Sequence, residues 1–415
     1  KEQDITSGTL FISIIEGVIS KAQVSGNKST SEKYIKRYID FGKTDNFNAN
    51  VTDKEIMNFN ASNDAKARIA LSPGEVFGSS VVDIIIDEPQ RYSLSIFTDN
   101  AGQEETGKIR YAGYGSIKSI TKYRDIFNAG GVFSEGSNAA YASYEIPEPF
   151  FNARVGAGFD YSDTYIVNGG LKPLDVKGSF YNAYIYVKKP FFIREKTVTN
   201  VTFNAASKHG VSFVSDFKTQ DTKTDTLSLS ADNTLLFNGG YAFNMLSYAQ
   251  GAKIIEGENI FEKLAYYGEG YKSLPYNFSL NLKIKGQLIF DKAPSSEYFS
   301  IGGINSVRGY REGMLTAKDG VNTNLELIYD IGLIKWKRLN FNKIYAFFDF
   351  GNVFPDKNAN LPDGYSNMLY SCGIGIKFGL FRHFETNLVC AFPLYEHKYY
   401  ENDKITLLFS IHGKI

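Results

Sequence analysis

Cysteine, methionine and tryptophan are scarce in this chain: two, four and one residues out of 415. Two cysteines are too few for a disulfide framework, so the fold has to rest on packing and hydrogen bonds. Neither sign of charge is in excess, because 45 Lys plus Arg stand against 45 Asp plus Glu. That balance lacks the basic footprint of a nucleic-acid binder. No apolar run reaches the roughly 18 residues of a membrane-spanning helix. The four histidines, His209, His383, His397 and His412, are not spaced as a metal pair. A nucleophile-elbow serine and a phosphate loop are both missing. Gly373-Ile374-Gly375 followed by Gly379 resembles a fragment of a dinucleotide fingerprint, yet it lies on an alternating segment where glycines make room inside a strand. The expectation is therefore no enzyme, no metal and no cofactor.

What is abundant is Tyr, Phe and Gly, with 28, 33 and 38 residues. Hydrophobic residues make up 43% of the chain, too many for disorder. Aromatic and glycine abundance with mild average polarity suits a membrane β-barrel, in which lipid-facing and lumen-facing residues alternate between aromatic girdles. Composition alone fits a soluble all-β protein as well. The opening residues, Lys1-Glu2-Gln3-Asp4, are no signal peptide and read as an interior stretch, which implies that a leader and further upstream sequence precede them.

Residues 1–89 carry the only helical patterns. Tyr34, Ile35, Tyr38 and Ile39 fall on one face at helical spacing between Ser31 and Phe41. Thr52-Asp53-Lys54-Glu55 reads as a capping box opening a second helix through Ile56, Met57 and Phe59. A strand-like stretch from Thr9 to Val24 precedes them. Two more, Ala67 to Leu71 and Ser80 to Asp87, follow around the turn Ser72-Pro73-Gly74. The order β-α-α-β-β predicts a small α+β domain whose sheet has an open edge, a template for an incoming extended chain.

Beyond Arg91 the period becomes two. Phe278, Leu280, Leu282, Ile284, Leu288 and Phe290 alternate with Ser279, Asn281, Lys283, Lys285 and Gln287. A strand with lysines on one face and large apolar groups on the other has two solvents, which predicts that Lys283, Lys285 and Gln287 line a lumen. Sixteen such strands can be placed, near 91–99, 107–118, 125–134, 138–147, 152–165, 176–189, 196–207 and 224–237, then 241–254, 261–273, 277–290, 321–331, 341–354, 366–378, 383–393 and 403–415. Short connections are expected after even-numbered strands, as at Pro147-Glu148-Pro149, Asn238-Gly239-Gly240, Pro275-Tyr276-Asn277 and Gly379-Leu380-Phe381. Longer polar ones are expected after odd-numbered strands, the longest between Asp291 and Gly320. Since outer-membrane barrels have short periplasmic turns, the even turns and the N-terminal domain are expected on the periplasmic side. Cys372 and Cys390 share parity on neighbouring strands, consistent either with a cross-strand disulfide or with two small lipid-facing residues.

The longest loop contains Gly302-Gly303-Ile304-Asn305-Ser306-Val307-Arg308-Gly309-Tyr310. Strand thirteen carries Phe347-Phe348-Asp349-Phe350-Gly351. There Phe347, Asp349 and Gly351 share one face, and Ala346, Phe348 and Phe350 the other. The second face suits lipid, so the Asp349 carboxylate points into the lumen. A lumenal carboxylate and a Gly-flanked arginine invite a bidentate pair if the loop folds inward.

Val307-Arg308-Gly309-Tyr310 in the sixth external loop, with Phe347, Asp349 and Gly351 on strand thirteen, resembles the superfamily of barrel-assembly and two-partner-secretion proteins. The chain is most similar to its haemolysin-activator branch, the ShlB/FhaC/HecB type. Three further stretches resemble that branch. Gly8-Thr9-Leu10 through Glu16-Gly17-Val18-Ile19 matches the start of a second POTRA domain, Leu71-Ser72-Pro73-Gly74 its later turn, and Asp99-Asn100-Ala101-Gly102 with Thr106-Gly107 the first external hairpin. The resemblance implies a sixteen-stranded antiparallel transmembrane barrel over 90–415, with loop 291–320 folded inward and one periplasmic POTRA domain over 1–89. It implies a monomer in outer-membrane lipid that exports a secreted partner protein without ATP. The family usually has two POTRA domains and a plug helix, and commonly ends in an aromatic where this chain has Ile415. A barrel-assembly insertase and a passive porin are the rival expectations.

Overall fold

The computed structural model describes residues 18–39, 48–255, 257, 260–332, 339–356, 365–380, 383–398 and 403–414. The N-terminal part has β1 (Val18–Ser25), α1 (Glu32–Tyr38), α2 (Ala49–Ser62), β2 (Lys66–Pro73) and β3 (Ser79–Asp87). Its sheet has the order β1-β3-β2, with β1 parallel and β2 antiparallel to the central β3. Helix α1 forms because Tyr34, Ile35 and Tyr38 are buried together on one side, and Ile39 closes the same face. They pack with Phe59 of α2 and with Val82, Ile84 and Ile86 of β3. The α2 cap differs from the expected one: Asn48 accepts from the Asn50 and Val51 N–H groups at 3.1 and 3.4 Å. Thr52 is buried inside the first turn, where its side chain packs instead of capping. The β2–β3 turn also lies later than expected, over residues 74–78. Most of the strand expected from Thr9, with Phe381 and Ile415, lies outside the described residues.

The rest is a closed barrel of sixteen antiparallel strands, the expected architecture and count. Its first eight are β4 (Tyr92–Asp99), β5 (Arg110–Lys118), β6 (Ile126–Phe133), β7 (Ser137–Glu148), β8 (Ala153–Tyr165), β9 (Val176–Arg194), β10 (Thr197–Val214) and β11 (Phe217–Phe237). Then come β12 (Gly240–Ala252), β13 (Glu262–Ser273) and β14 (Phe278–Phe290). A small hairpin, β15 (Phe299–Ile301) and β16 (Leu315–Ala317), interrupts the series. The wall resumes with β17 (Asp319–Asp330), β18 (Leu339–Phe354), β19 (Met368–Leu380), β20 (Phe384–Pro393) and β21 (Thr406–Lys414), and β21 pairs with β4 to close it. Closure removes the sheet edges that lipid could not satisfy.

The faces divide as their chemistry requires. Leu325, Leu327 and Tyr329 are exposed on the outside of β17, while Asn322 and Ile328 are buried on the inside. Gly373 and Gly375 of β19 face inward and leave room for Phe347 and Tyr345, whose rings lie 2.4 and 2.1 Å from where a Cβ would stand.

Two connections differ from expectation. After the seventh barrel strand the turn is only Ser215-Asp216, because β10 and β11 continue through residues expected to form a loop. After the third, only residues 134–136 connect. At roughly 3.3 Å per residue, β11 is roughly 70 Å long, well over a band of about 25 Å even when tilted. The projecting part has water on both faces, so its apolar alternation disappears while the hydrogen-bond ladder continues. Cys372 and Cys390 are both free: Cys372 pairs with Phe392 and Cys390 with Ile374, a diagonal offset in place of direct opposition.

Candidate functional site

The long β14–β17 connection begins at Asp291 and ends before Asp319, slightly earlier than the expected Gly320. Its hairpin packs into a buried cluster of Ile301, Val307, Tyr310, Leu315 and Ala317 against Val353 and Leu369 of the wall. The backbone of its tip relies on glycine. Gly309 has φ +97°, and a Cβ there would stand 3.1 Å from Pro393 and 3.3 Å from Ala391 of β20. Gly351 plays the complementary part, since a Cβ on it would lie 2.9 Å from Val307 and 3.0 Å from Ile301.

Arg308 reaches the lumenal face of β18. Its Nε and Nη2 donate to the two Asp349 carboxylate oxygens at 2.7 and 2.8 Å, and its own backbone N–H donates to Oδ2 at 3.1 Å. Asp349 is 0% and Arg308 6% exposed, so the pair is shielded from solvent competition. The guanidinium lies 3.7 Å over the Phe347 ring, adding a cation–π contact. Tyr310 does not touch the pair through its hydroxyl. That group lies 3.0 Å from the carbonyl oxygens of both Tyr370 and Tyr395 and accepts from the Tyr395 N–H at 3.1 Å, tying the loop to β19 and to the connection after β20.

Several participants were not singled out from the sequence. Arg308 Nη1 donates to Glu326 of β17 at 2.6 Å, and Lys377 of β19 reaches the other Glu326 oxygen at 3.4 Å. Asn324 donates to Asp349 at 2.8 Å and to the Ser306 carbonyl. The signal was available: Asn322, Asn324 and Glu326 alternate inward on β17, and the register sets Asn324 beside Asp349. Two carboxylates thus face two cations in a balanced network.

The other arm of the loop is anchored elsewhere. Glu297, 4% exposed, accepts from Lys208 of β10 at 2.5 Å and from Lys263 of β13. Gln287 donates to the Glu297 and Lys318 carbonyls at 2.8 and 3.0 Å, and Lys285 to the Asn305 carbonyl at 3.2 Å. Lys283 pairs in register with Glu269 of β13. The loop is therefore a strap held on the seventh and tenth strands at one arm and on the twelfth and thirteenth at its tip. The first connection closes over it: Gln103 donates to the Glu312 carbonyl at 3.4 Å, and Arg311 lies 3.7 and 3.5 Å from Glu104 and Glu105. Among the described residues, no His, Cys, Asp and Glu cluster suits a metal ion.

The family model for the haemolysin secretion/activation protein ShlB/FhaC/HecB matches residues 78–378. The heme/hemopexin transporter protein HuxB of Haemophilus influenzae is 22% identical, covering 94% of this chain and 73% of its own. The outer membrane transporter CdiB of Dickeya dadantii is 20% identical over 79% of this chain and 61% of its own. In structure, CdiB from Escherichia coli superposes with a TM-score of 0.81 at 19% identity, covering 100% of this chain and 80% of that one. BamA from Haemophilus ducreyi lacking POTRA domains 1–3 gives 0.67 at 14% identity, covering 96% and 84%. The barrel with its charge-anchored inner strap and the family match lead to one conclusion: the chain belongs to the ShlB/FhaC/HecB haemolysin secretion/activation family, outer-membrane β-barrels of two-partner secretion.

Proposed function

We propose that this barrel exports one large partner exoprotein of the haemolysin or adhesin type through its lumen, and that residues 18–87 are a POTRA domain standing in the periplasm. The observation that carries the reading is a lumenal strap held by buried charges beside a small domain whose β2 pairs with no strand but β3 among the described residues. The strap partly fills the channel, and the polar groups of its lining suit a moving peptide. Hydrogen-bonded charge pairs can exchange with water as the strap moves, which a continuous apolar seal could not do. No nucleotide site is needed: folding of the emerged chain supplies the direction. Arg308, Gly309 and Tyr310, with Phe347, Asp349 and Gly351, hold the strap in its transport-competent position.

The capture step follows from the sheet order. The outer edge of β2 is capped at Ala67, whose N–H and carbonyl bond the Asn60 side chain at 2.6 and 3.0 Å. Ile69 and Leu71 share that outward backbone direction, and Leu71, Val76 and Phe77 are exposed beside them. An unfolded chain adds there as a further strand, recognised through its backbone with side-chain pockets adding selectivity. Proline at Ile69 or Leu71 removes an outward donor and leaves the barrel untouched. We expect such variants to assemble normally and to lose most export, measured as partner protein in the medium; normal secretion from both refutes strand addition at β2.

The likeness to BamA and the short β21–β4 seam, five residue pairs among the described residues, favour a second reading, an insertase. An insertase would leave partner export unaffected on depletion and lower the assembly of other barrels in the same membrane. A passive porin has no use for a docked domain or a charge-locked strap.

A further inference from the structure

The contacts between the small domain and the barrel converge on one turn. The β5–β6 connection, residues 119–125, places Ser119, Lys122 and Arg124 at φ of 56°, 67° and 60°. Three side-chain-bearing residues in the left-handed region of one turn persist only where surrounding contacts over-determine them. Asp125 supplies part of that constraint: its carboxylate accepts from the Ile120 and Thr121 N–H groups at 3.2 and 3.0 Å, the Thr121 hydroxyl at 2.6 Å and the Tyr144 hydroxyl at 3.0 Å.

The turn so shaped enters the small domain. Tyr123 packs edge-on against Tyr34 at 5.7 Å, so a barrel residue completes the domain's hydrophobic core. The Ser31 N–H donates to the Lys122 carbonyl at 2.9 Å, and the Ser119 hydroxyl to the Ser29 carbonyl at 2.8 Å. Arg124, 0% exposed, lies at the centre. Its Nε donates to Asp64 at 2.8 Å, its Nη2 takes the other Asp64 oxygen, and its Nη1 donates to the Ser29 hydroxyl at 3.2 Å. Arg154 of β8 adds a second tie, donating to the Ser62 and Arg124 carbonyls at 2.9 and 3.0 Å while Glu145 balances its charge. Domains on a flexible tether meet through small, wet contacts. Here a buried arginine is satisfied only when the domain sits in one orientation.

We propose that residues 119–125 are a rigid joint that fixes the orientation of the small domain on the barrel mouth, with Arg124 as its positioning residue. The β2 edge is thereby presented at one place relative to the lumen. The consequence for export rests on the reading of this domain as the capture element.

Electron–electron resonance distances on the full chain test the joint. Nitroxides would be placed at Val76→Cys, on the exposed domain hairpin, and at Tyr276→Cys, on the exposed β13–β14 turn, after Cys372→Ser and Cys390→Ser. One narrow distance is expected in the parent. Arg124→Ala should broaden it while the barrel stays heat-modifiable, and should lower export by about tenfold, because Asp64 is left without its fork. Arg124→Lys, with one ammonium for the two-oxygen contact, should not restore the narrow distance. Asp64→Asn attacks the joint from the other side and serves where Arg124→Ala fails to assemble. A broad parent distance, or variants as narrow as the parent, overturns the joint. Broadening with normal export overturns its role in positioning while the β2 capture reading stands. Loss of export in the β2 proline variants alone, with every distance narrow, supports capture and refutes the joint.

Discussion

Arg308 shows how one side chain anchors the strap. It makes a bidentate contact to Asp349, a third contact to Glu326 and a stacking contact to Phe347. Removing either member of the Arg308–Asp349 pair leaves the other charge buried, a loss of about 3–5 kcal/mol from the docked position of the strap. Arg308→Ala and Asp349→Ala should each lower secretion strongly while the barrel remains folded and heat-modifiable. The double variant should be little worse than Arg308→Ala, which already removes the contact to Asp349. Losses that multiply in the secretion assay would mean that the residues act independently. Arg308→Lys should stay impaired, because one ammonium cannot span Asp349 and Glu326 while lying flat on Phe347.

At the scale of the element, the strap has two anchors of different origin. Its tip is held by the arginine motif, and its first arm by Glu297 between Lys208 and Lys263. Deleting residues 293–317 should raise single-channel conductance in a planar bilayer, because the hairpin occupies the lumen. Glu297→Gln keeps the shape and removes the charge, so it should give an intermediate result: more frequent brief openings with the Arg308 anchor in place. Conductance unchanged by the deletion would mean that the strap does not narrow the pore. The long strands β9, β10 and β11 teach a related lesson. Alternation marks only the part of a strand that has lipid on one side, so it does not reveal the projecting hairpin. The capping box failed for a similar reason: Asn48 fits the start of α2 as well as Thr52 does, and only the burial of Thr52 decides between them.

For the whole molecule, the joint between domain and barrel predicts a pH dependence. Burial raises the Asp64 carboxyl, but the Arg124 hydrogen bonds and charge outweigh it and hold the group below its ordinary 3.8. Burial likewise opposes, and bonds from Thr30 and Ser29 lower, the nearby Glu88. Groups depressed in the folded state contribute stability that is present above their unfolded values and is lost as the pH falls through the folded ones. The nitroxide distance should therefore stay narrow from neutral pH to about 5 and broaden only below about 4. Broadening between pH 6 and 8 would show that another group governs the joint.

The sequence by itself determined the sixteen strands, their order and, on strands such as β14 and β18, which face meets lipid, because a strand between two solvents must alternate residue by residue wherever it crosses the membrane. It also determined the members of the motif, Arg308 and Asp349, since a lumenal carboxylate and a glycine-flanked arginine are legible one strand at a time. Only the tertiary structure decided the remaining partners. Glu297 lies 89 residues from Lys208, and Arg124 lies 60 from Asp64. Such pairs form because the closed barrel brings distant strands around a common lumen and because one turn enters a separate domain. Local periodicity states which way a side chain points, but what it meets there depends on closure, stagger and docking, which are properties of the whole chain.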